Sequence, residues 1–293
     1  NGKELSEAEI DGLTTKFCNN FCSYGIIGCW MSHYKLWQHI VDHKLNNVLV
    51  LEDDARPAVA ISEFNDKLNN LNVPSDYDLV YLGCFGSCDK IGDNVFNLLF
   101  GKTNKEIDEQ LMIPSVPLGT HAYIISNIGA QKLLNADELK KVKYHIDYTL
   151  ANYMYPNHKD FKVLSTKTPL IMQSNDINSS DLLTNDHPII SYFFSKIKIS
   201  ENYNLDYIMN AQILNIRKMN VNVTGLLIMF AAISFLVGMF GSHDMIRNYC
   251  WGLLGMYFIE FMIKKKTNWG NLIFEVFMIM LFLQLGIRFN KKI

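Results

Sequence analysis

The stretch NNVLVLEDDARP, Asn46 to Pro57, decides how this chain is read. Two asparagines suit the exit of a helix, and Val48 to Leu51 is a continuous β-favouring run of the kind buried on both faces of a sheet. The run ends in three consecutive carboxylates, Glu52, Asp53 and Asp54. Side chains alternate along a strand, so if the chain stays extended Glu52 and Asp54 face one side and Asp53 the other. Unit charges some 4 to 6 Å apart near a protein surface repel by roughly 3 to 4 kcal/mol at an effective dielectric of about 20. Such a cluster needs a cation, a proton or full solvation. Open sheets bind ligands beyond the carboxyl ends of their strands, and hard oxygen ligands select Mg²⁺ or Mn²⁺, which keep phosphate oxygens and water in their shell. The triplet therefore suits a metal that holds a diphosphate, and it equally suits a solvated acidic turn. Arg56, two residues on, either meets a phosphate or neutralises a neighbour.

Upstream, IIGCWMSHYKLWQHIVDHKL places Ile27, Trp30, Met31, Tyr34, Trp37, Ile40, Val41 and Leu45 at three- and four-residue steps, the stripe of an amphipathic helix with Gly25 and Gly28 near its start. Downstream, YDLVYLGC (Tyr77–Cys84) and PLGTHAYIIS (Pro117–Ser126) read as further strands, and NIGAQKLLNADELKKV leads into a helix. HIDYTLANYMYP reads as a short helix with Asp147 in its first turn and Pro156 after its end. Strands alternating with helical patterns predict an α/β sheet with a substantial parallel component. The polar, turn-rich run Asn175 to Pro188 reads as a long loop, a candidate active-site lid.

The order of these blocks carries a resemblance. YGIIGCWMSHYKLWQHIVDHKLNNVLVLEDDA is similar to the signature of glycosyltransferase family 25, in which a G-x-x-G-C-x-x-S-H-x-x-x-W-like helix leads into a strand ending in E-D-D. Gly25, Gly28, Cys29, Ser32, His33 and Trp37 carry the first half here, and Glu52, Asp53 and Asp54 the second. YDLVYLG, GTHAYIISNIGAQKLL and HIDYTL match the later blocks in order, so the likeness covers about residues 1 to 170. The resemblance implies a GT-A-like mixed sheet flanked by helices, a UDP-sugar donor such as UDP-galactose, Mn²⁺ or Mg²⁺, and inversion at the anomeric carbon. It implies Glu52 and Asp54 as metal ligands, Asp53 toward the donor sugar or ribose, and Asp147 as the base. Gly28, Ser32, His33, Arg56, Gly119, Thr120 and His121 are the accompanying binding candidates, with Thr120 and His121 lining the acceptor pocket. Structural roles compete: Asp147 as a helix cap, His33 with Ser32 as a packed histidine and its partner, Gly119 as a turn residue. The strand and helix that open the family's domain lie upstream of the stretch matched from Asn1, so the sheet is expected to lack its first strand, because the sequence is a piece of a longer protein or, as the alternative, because part of the donor site is lost.

Composition sets the remaining limits. The chain has 293 residues, 49% of them hydrophobic, a net charge of −2 and no basic stripe, so nothing points to nucleic acid. Cysteines occur as two C-x3-C pairs, CNNFC and CFGSC, plus Cys29 and Cys250. The pairs read as free small hydrophobes, with disulfide or zinc ligation as alternatives. VTGLLIMFAAISFLVGMFG, Val223 to Gly241, carries no charge over 19 residues and spans about 28 Å as a helix, against a hydrocarbon core of about 30 Å. Two shorter apolar blocks follow, each with a glutamate, Glu260 and Glu275, so two or three membrane helices are expected. The expected organisation is a glycosyltransferase domain over 1–195, a linker over 196–220 and a membrane region over 221–293. Basic clusters place the catalytic domain on the cytoplasmic side if there are three spans, the endomembrane lumen being the alternative. The expected partners are a nucleotide-sugar donor, a lipid bilayer, and a glycan, lipid-linked glycan or protein acceptor. The alternative function is a catalytically inactive relative that binds a glycan or partner through the same fold.

Overall fold

A computed structural model describes residues 5–86, 88, 104–157, 160–174, 188–198, 204–216, 219–263 and 269–290. The chain divides into two compact units, the first running to Asn222 and the second beginning at Val223. The loop read as a lid, up to residue 187, lies outside the described residues.

The first unit opens with α1 (Glu7–Leu13), α2 (Lys16–Phe21) and α3 (Tyr24–Asp42). Each starts on a hydroxyl: Ser6, Thr15 and Ser23 accept N–H groups of the first turn. A cap of this kind is worth about 1 kcal/mol. α3 buries Ile26, Ile27, Trp30, His33, Trp37 and Ile40, close to the predicted stripe. Leu45 departs from it, since the helix stops at Asp42 and Leu45 is exposed beyond it. The chain leaves through Lys44 and Asn47 at φ 53° and 54°, the second being an asparagine, which tolerates the left-handed region.

β1 (Val48–Leu51) follows and forms one edge of a six-stranded sheet. The other strands are β3 (Leu79–Gly86), β4 (Lys105–Glu106), β5 (Leu111–Ile113), β6 (Pro117–Ile125) and β7 (Val163–Thr166), in the order β1-β6-β3-β7-β5-β4. Two expectations are corrected here. Among the described strands of this sheet the parallel component reduces to one pair, β3 with β7, while the other pairings are antiparallel. β1 is not buried on both faces: Val50 enters the core under α3, but Leu49 and Leu51 are exposed. An edge strand covered by a helix on one side leaves its alternate residues in solvent.

On one sheet face α3 and α5 (Asn127–Asn135) enclose Trp30, Trp37, Tyr81, Tyr123 and Leu133. On the other, Phe64 and Leu68 of α4 (Ile61–Asn69) pack on Leu82, Ala122, Leu170 and Ile171. A short ladder joins β2 (Ala55–Pro57) to β8 (Ile171–Gln173), pairing Ala55 with Gln173. α6 (Ile146–Asn157) begins one residue before Asp147, and its last turn includes Pro156, which was expected just after its end. α7 (Pro188–Phe194), α8 (Leu205–Met209) and the hairpin of β9 (Gln212–Ile216) and β10 (Met219–Asn222) complete the unit, with α8, β9 and the start of β10 falling in the segment 196–220 read as a linker.

The C-x3-C pairs are cross-linked in the structure, Cys18 to Cys22 and Cys84 to Cys88, which corrects the reading as free thiols; Cys29 and Cys250 are free. The spacing of four brings each pair's Cα atoms to 4.6 and 5.5 Å, within the range a disulfide spans.

The second unit contains α9 (Val223–Phe240), α10 (His243–Ile263) and α11 (Trp269–Asn290). Among the described residues one helix, α9, is long and apolar enough to cross a membrane, and a second apolar stretch, Ile279–Asn290, is shorter. α9 and α11 touch backbone to backbone. A Cβ on Gly238 would lie 2.3 Å from the Leu283 carbonyl, and one on Gly286 would lie 2.2 Å from the Phe235 carbonyl. Small residues permit such an approach between apolar helices.

Candidate active site

The acidic triplet does not stay extended. The Ala55 N–H donates to the Glu52 carbonyl at 3.1 Å, closing a tight turn with Asp53 and Asp54 at its centre, and the simple alternation expected past Leu51 is lost. The three carboxylates part company. Asp53 is exposed. Asp54 is only 4% exposed; its Oδ2 accepts from Gln173 Nε2 at 2.8 Å, while its Oδ1 is buried with no hydrogen-bond partner. Glu52 Oε1 accepts the Thr120 hydroxyl at 2.6 Å and meets His33 Nε2 at 3.0 Å.

A polar chain runs behind Glu52. Trp37 Nε1 donates to the Tyr123 hydroxyl oxygen at 3.0 Å, and that hydroxyl lies 2.9 Å from His33 Nδ1. A histidine protonated on Nε2 satisfies every contact, with Tyr123 donating to Nδ1 and Nε2–H donating to Glu52. Burial pushes the Glu52 carboxyl up, but His33, through its hydrogen bond and its electrostatic pull, together with the Thr120 hydroxyl and the pull of His121, holds the group below the usual range. Asp54 goes the other way: burial raises it, Glu52 and Asp53 add to the rise, and Gln173 opposes it. Two neighbouring carboxyls are thus driven apart by their surroundings.

β6 is irregular where it meets this site. Between the pairs Gly83–Ala122 and Phe85–Leu118, two steps along β3 match four along β6, a bulge centred on Gly119 to His121. Gly119 takes φ +80°, which a side chain would strain, and its N–H donates to Asp147 Oδ2 at 3.0 Å. Asp147 Oδ1 accepts the Tyr148 N–H at 2.6 Å. One carboxylate thus ties the first turn of its own helix to the bulged strand, from the second helical position rather than the N-cap. His121 is fully buried between Gly83 and Gly119, with no well-formed hydrogen bond on either ring nitrogen among the described residues, and it feels the Ile171 carbonyl. Burial lowers its pKa, against the pull of Glu52, and keeps the ring neutral.

The remaining candidates stand aside. Ser32 is exposed and donates to the Gly28 carbonyl at 2.9 Å, so it is not the partner of His33. Arg56 donates through Nη1 to the carbonyls of Asp53 and Ala55 at 2.9 and 2.8 Å, bracing the turn rather than pairing with a carboxylate. Sequence reasoning missed Tyr123, Gln173 and Tyr207, and gave Cys29 a place in the signature without a role. The Cys29 thiol is pushed up by burial and by Glu52, Asp147, Asp54 and Asp53, which places it within electrostatic reach of all four carboxylates. The i, i+4 spacing of Cys29 and His33 on one helix was a usable signal.

Carboxylate oxygens are the donors that a hard divalent cation takes. Asp54 offers a buried oxygen that nothing satisfies, and both hydrogen bonds to Glu52 converge on Oε1, leaving Oε2 for a further partner.

The fold and site together define a mixed α/β protein with a carboxylate centre at the carboxyl ends of β1 and β3. The family model described as Glycosyltransferase family 25 (LPS biosynthesis protein) matches residues 1–150, and the chain belongs to that family. Procollagen galactosyltransferase 1 of Danio rerio is 32% identical over 156 residues, covering 48% of this chain and 24% of that protein. Procollagen galactosyltransferase 2 of Homo sapiens is 30% identical over 188 residues, covering 58% and 27%. A glycosyltransferase 25 family member of Drosophila melanogaster is 31% identical over 156 residues, covering 48% and 23%. The chain spans about a quarter of the length of these curated relatives.

Proposed function

We propose that this chain is an inverting, metal-dependent hexosyltransferase, tethered to a membrane through α9, that moves galactose from a UDP-sugar to a hydroxyl of a glycan or protein acceptor. The observation that carries the reading is the orphaned Asp54 Oδ1, on a carboxyl within electrostatic reach of a Glu52 carboxylate held by His33 and Thr120. Glu52 and Asp54 would hold Mn²⁺ or Mg²⁺, which when bound neutralises charge on the departing diphosphate. Asp147, fixed by the Gly119 and Tyr148 N–H groups, accepts the proton of the acceptor hydroxyl. That oxygen bonds to the anomeric carbon as the bond to the UDP oxygen breaks, on the opposite face, which inverts the centre. Asp53, exposed at the turn, faces the sugar or ribose hydroxyls of the donor.

The printed names of the relatives support galactose as the sugar. The two disulfides of the first unit support an oxidising compartment for it, against the cytoplasmic side drawn from the basic clusters. The test is UDP release from UDP-galactose with Mn²⁺ and a panel of glycan and peptide acceptors. Release by the intact chain that falls at least about a hundredfold in Asp147→Asn supports the reading. Equal release by the two proteins removes Asp147 as base, and no release with any acceptor removes the enzyme.

A further inference from the structure

Glu52 belongs to a second set of donors that differs in chemical character from the first. The Cys29 sulfur, a ring nitrogen of His33 and a carboxylate oxygen of Glu52 lie within 4.8 Å of one another. Cys29 and His33 stand at i and i+4 on α3, so both project from one face of the helix, the spacing by which helices present paired metal ligands. Glu52 arrives from the end of β1. The groups behind them are those a metal-binding histidine and carboxylate need. Tyr123, anchored by Trp37, contacts the far nitrogen of His33, and Thr120 holds Glu52. A thiolate, an imidazole and a carboxylate suit Zn²⁺, whereas Mn²⁺ and Mg²⁺ are served by all-oxygen donors.

We propose that Cys29, His33 and Glu52 form a soft-cation site that takes Zn²⁺ with solvent in the fourth position, and that zinc bound there withdraws Glu52 from the hard cation and inhibits transfer. Binding releases the Cys29 proton to solvent. The His33 proton passes from Nε2 to Nδ1 by exchange with solvent, and the Tyr123 oxygen, which has two lone pairs, accepts from both Trp37 and His33. Only the inhibitory consequence rests on the proposed function; the binding does not.

Co²⁺, a spectroscopic stand-in for zinc, tests the site on the full chain without added reductant. The wild type is expected to develop a thiolate-to-cobalt charge-transfer band that one equivalent of Zn²⁺ abolishes. Cys250→Ala, which changes the other free cysteine, is expected to keep the band. Cys29→Ala, with its circular dichroism and thermal midpoint checked against the wild type, is expected to lose it. Tyr123→Phe is expected to weaken cobalt affinity by about tenfold. In the Mn²⁺-supported assay, the zinc concentration giving half inhibition should rise at least about tenfold in Cys29→Ala. No band in the wild type, or a band that survives in folded Cys29→Ala, overturns the site. A cobalt band in a protein that releases no UDP leaves the site standing and removes the proposed enzyme.

Discussion

Gln173 donates through Nε2 to Asp54 Oδ2 at 2.8 Å, although the two residues stand 119 positions apart. The amide is itself oriented, because the Tyr207 hydroxyl donates to its Oε1. Tyr207 lies on α8, with its ring 5.2 Å from that of Phe85. The segment just ahead of the β9–β10 hairpin and α9 therefore steers the carboxylate whose other oxygen is left over for a cation.

That relay predicts graded losses of Mn²⁺ affinity. A hydrogen bond of this kind is worth about 0.5 to 1.5 kcal/mol, so Gln173→Leu should weaken Mn²⁺ binding by about two- to tenfold. Tyr207→Phe keeps the ring on Phe85 and should cost less. Electron paramagnetic resonance titration of free Mn²⁺ measures both, and unchanged affinity in both variants would show that Asp54 needs no outside support.

Glu52 and Asp54 should affect stability with opposite signs of pH dependence. The Glu52 pKa is lowered on folding, so its contribution is present above the unfolded carboxyl value and is lost as pH falls through the folded one. Glu52→Gln should therefore lower the thermal midpoint at neutral pH, with the difference shrinking in acid. The Asp54 pKa is raised, so its contribution is full below the unfolded value and is lost as pH rises through the folded one. Asp54→Asn should raise the midpoint at neutral pH without metal, and the gain should also fade in acid. Calorimetric scans from neutral to acidic pH decide it; two shifts of the same sign would contradict the electrostatic assignment.

Gly119→Ala should hurt both stability and turnover. The backbone at φ +80° disfavours a side chain by about 1 to 2 kcal/mol, and the new methyl would sit 3.1 Å from His121 Nδ1. Relief of the strain by shifting the bulge would move the N–H that holds Asp147. A lowered thermal midpoint together with a lower kcat is expected; a drop in midpoint alone would separate the bulge from the base.

Gly238→Val or Gly286→Val should loosen α9 from α11, since either side chain must displace a backbone carbonyl. Cysteine pairs placed on the two helices in the detergent-solubilised chain should cross-link less in these variants than in the parent. The first unit supplies the control, because its circular dichroism should not change.

The residue order alone determined the helix over Tyr24–Asp42, the strands β1, β3 and β6, the apolar helix from Val223 and the position of the acidic triplet at the end of a strand. Each of these follows from periodicity, capping hydroxyls or an uninterrupted apolar run, which are properties of near neighbours along the chain. Tertiary structure alone decided which oxygen of which carboxylate is spare. The turn after Leu51 separates Glu52 from Asp54, the β2–β8 ladder brings Gln173 to Asp54, and the bulge in β6 aims Gly119 at Asp147. Hydrogen bonds between residues 28 to 119 positions apart leave no local periodicity, so only the folded chain shows which groups they satisfy and which they leave open.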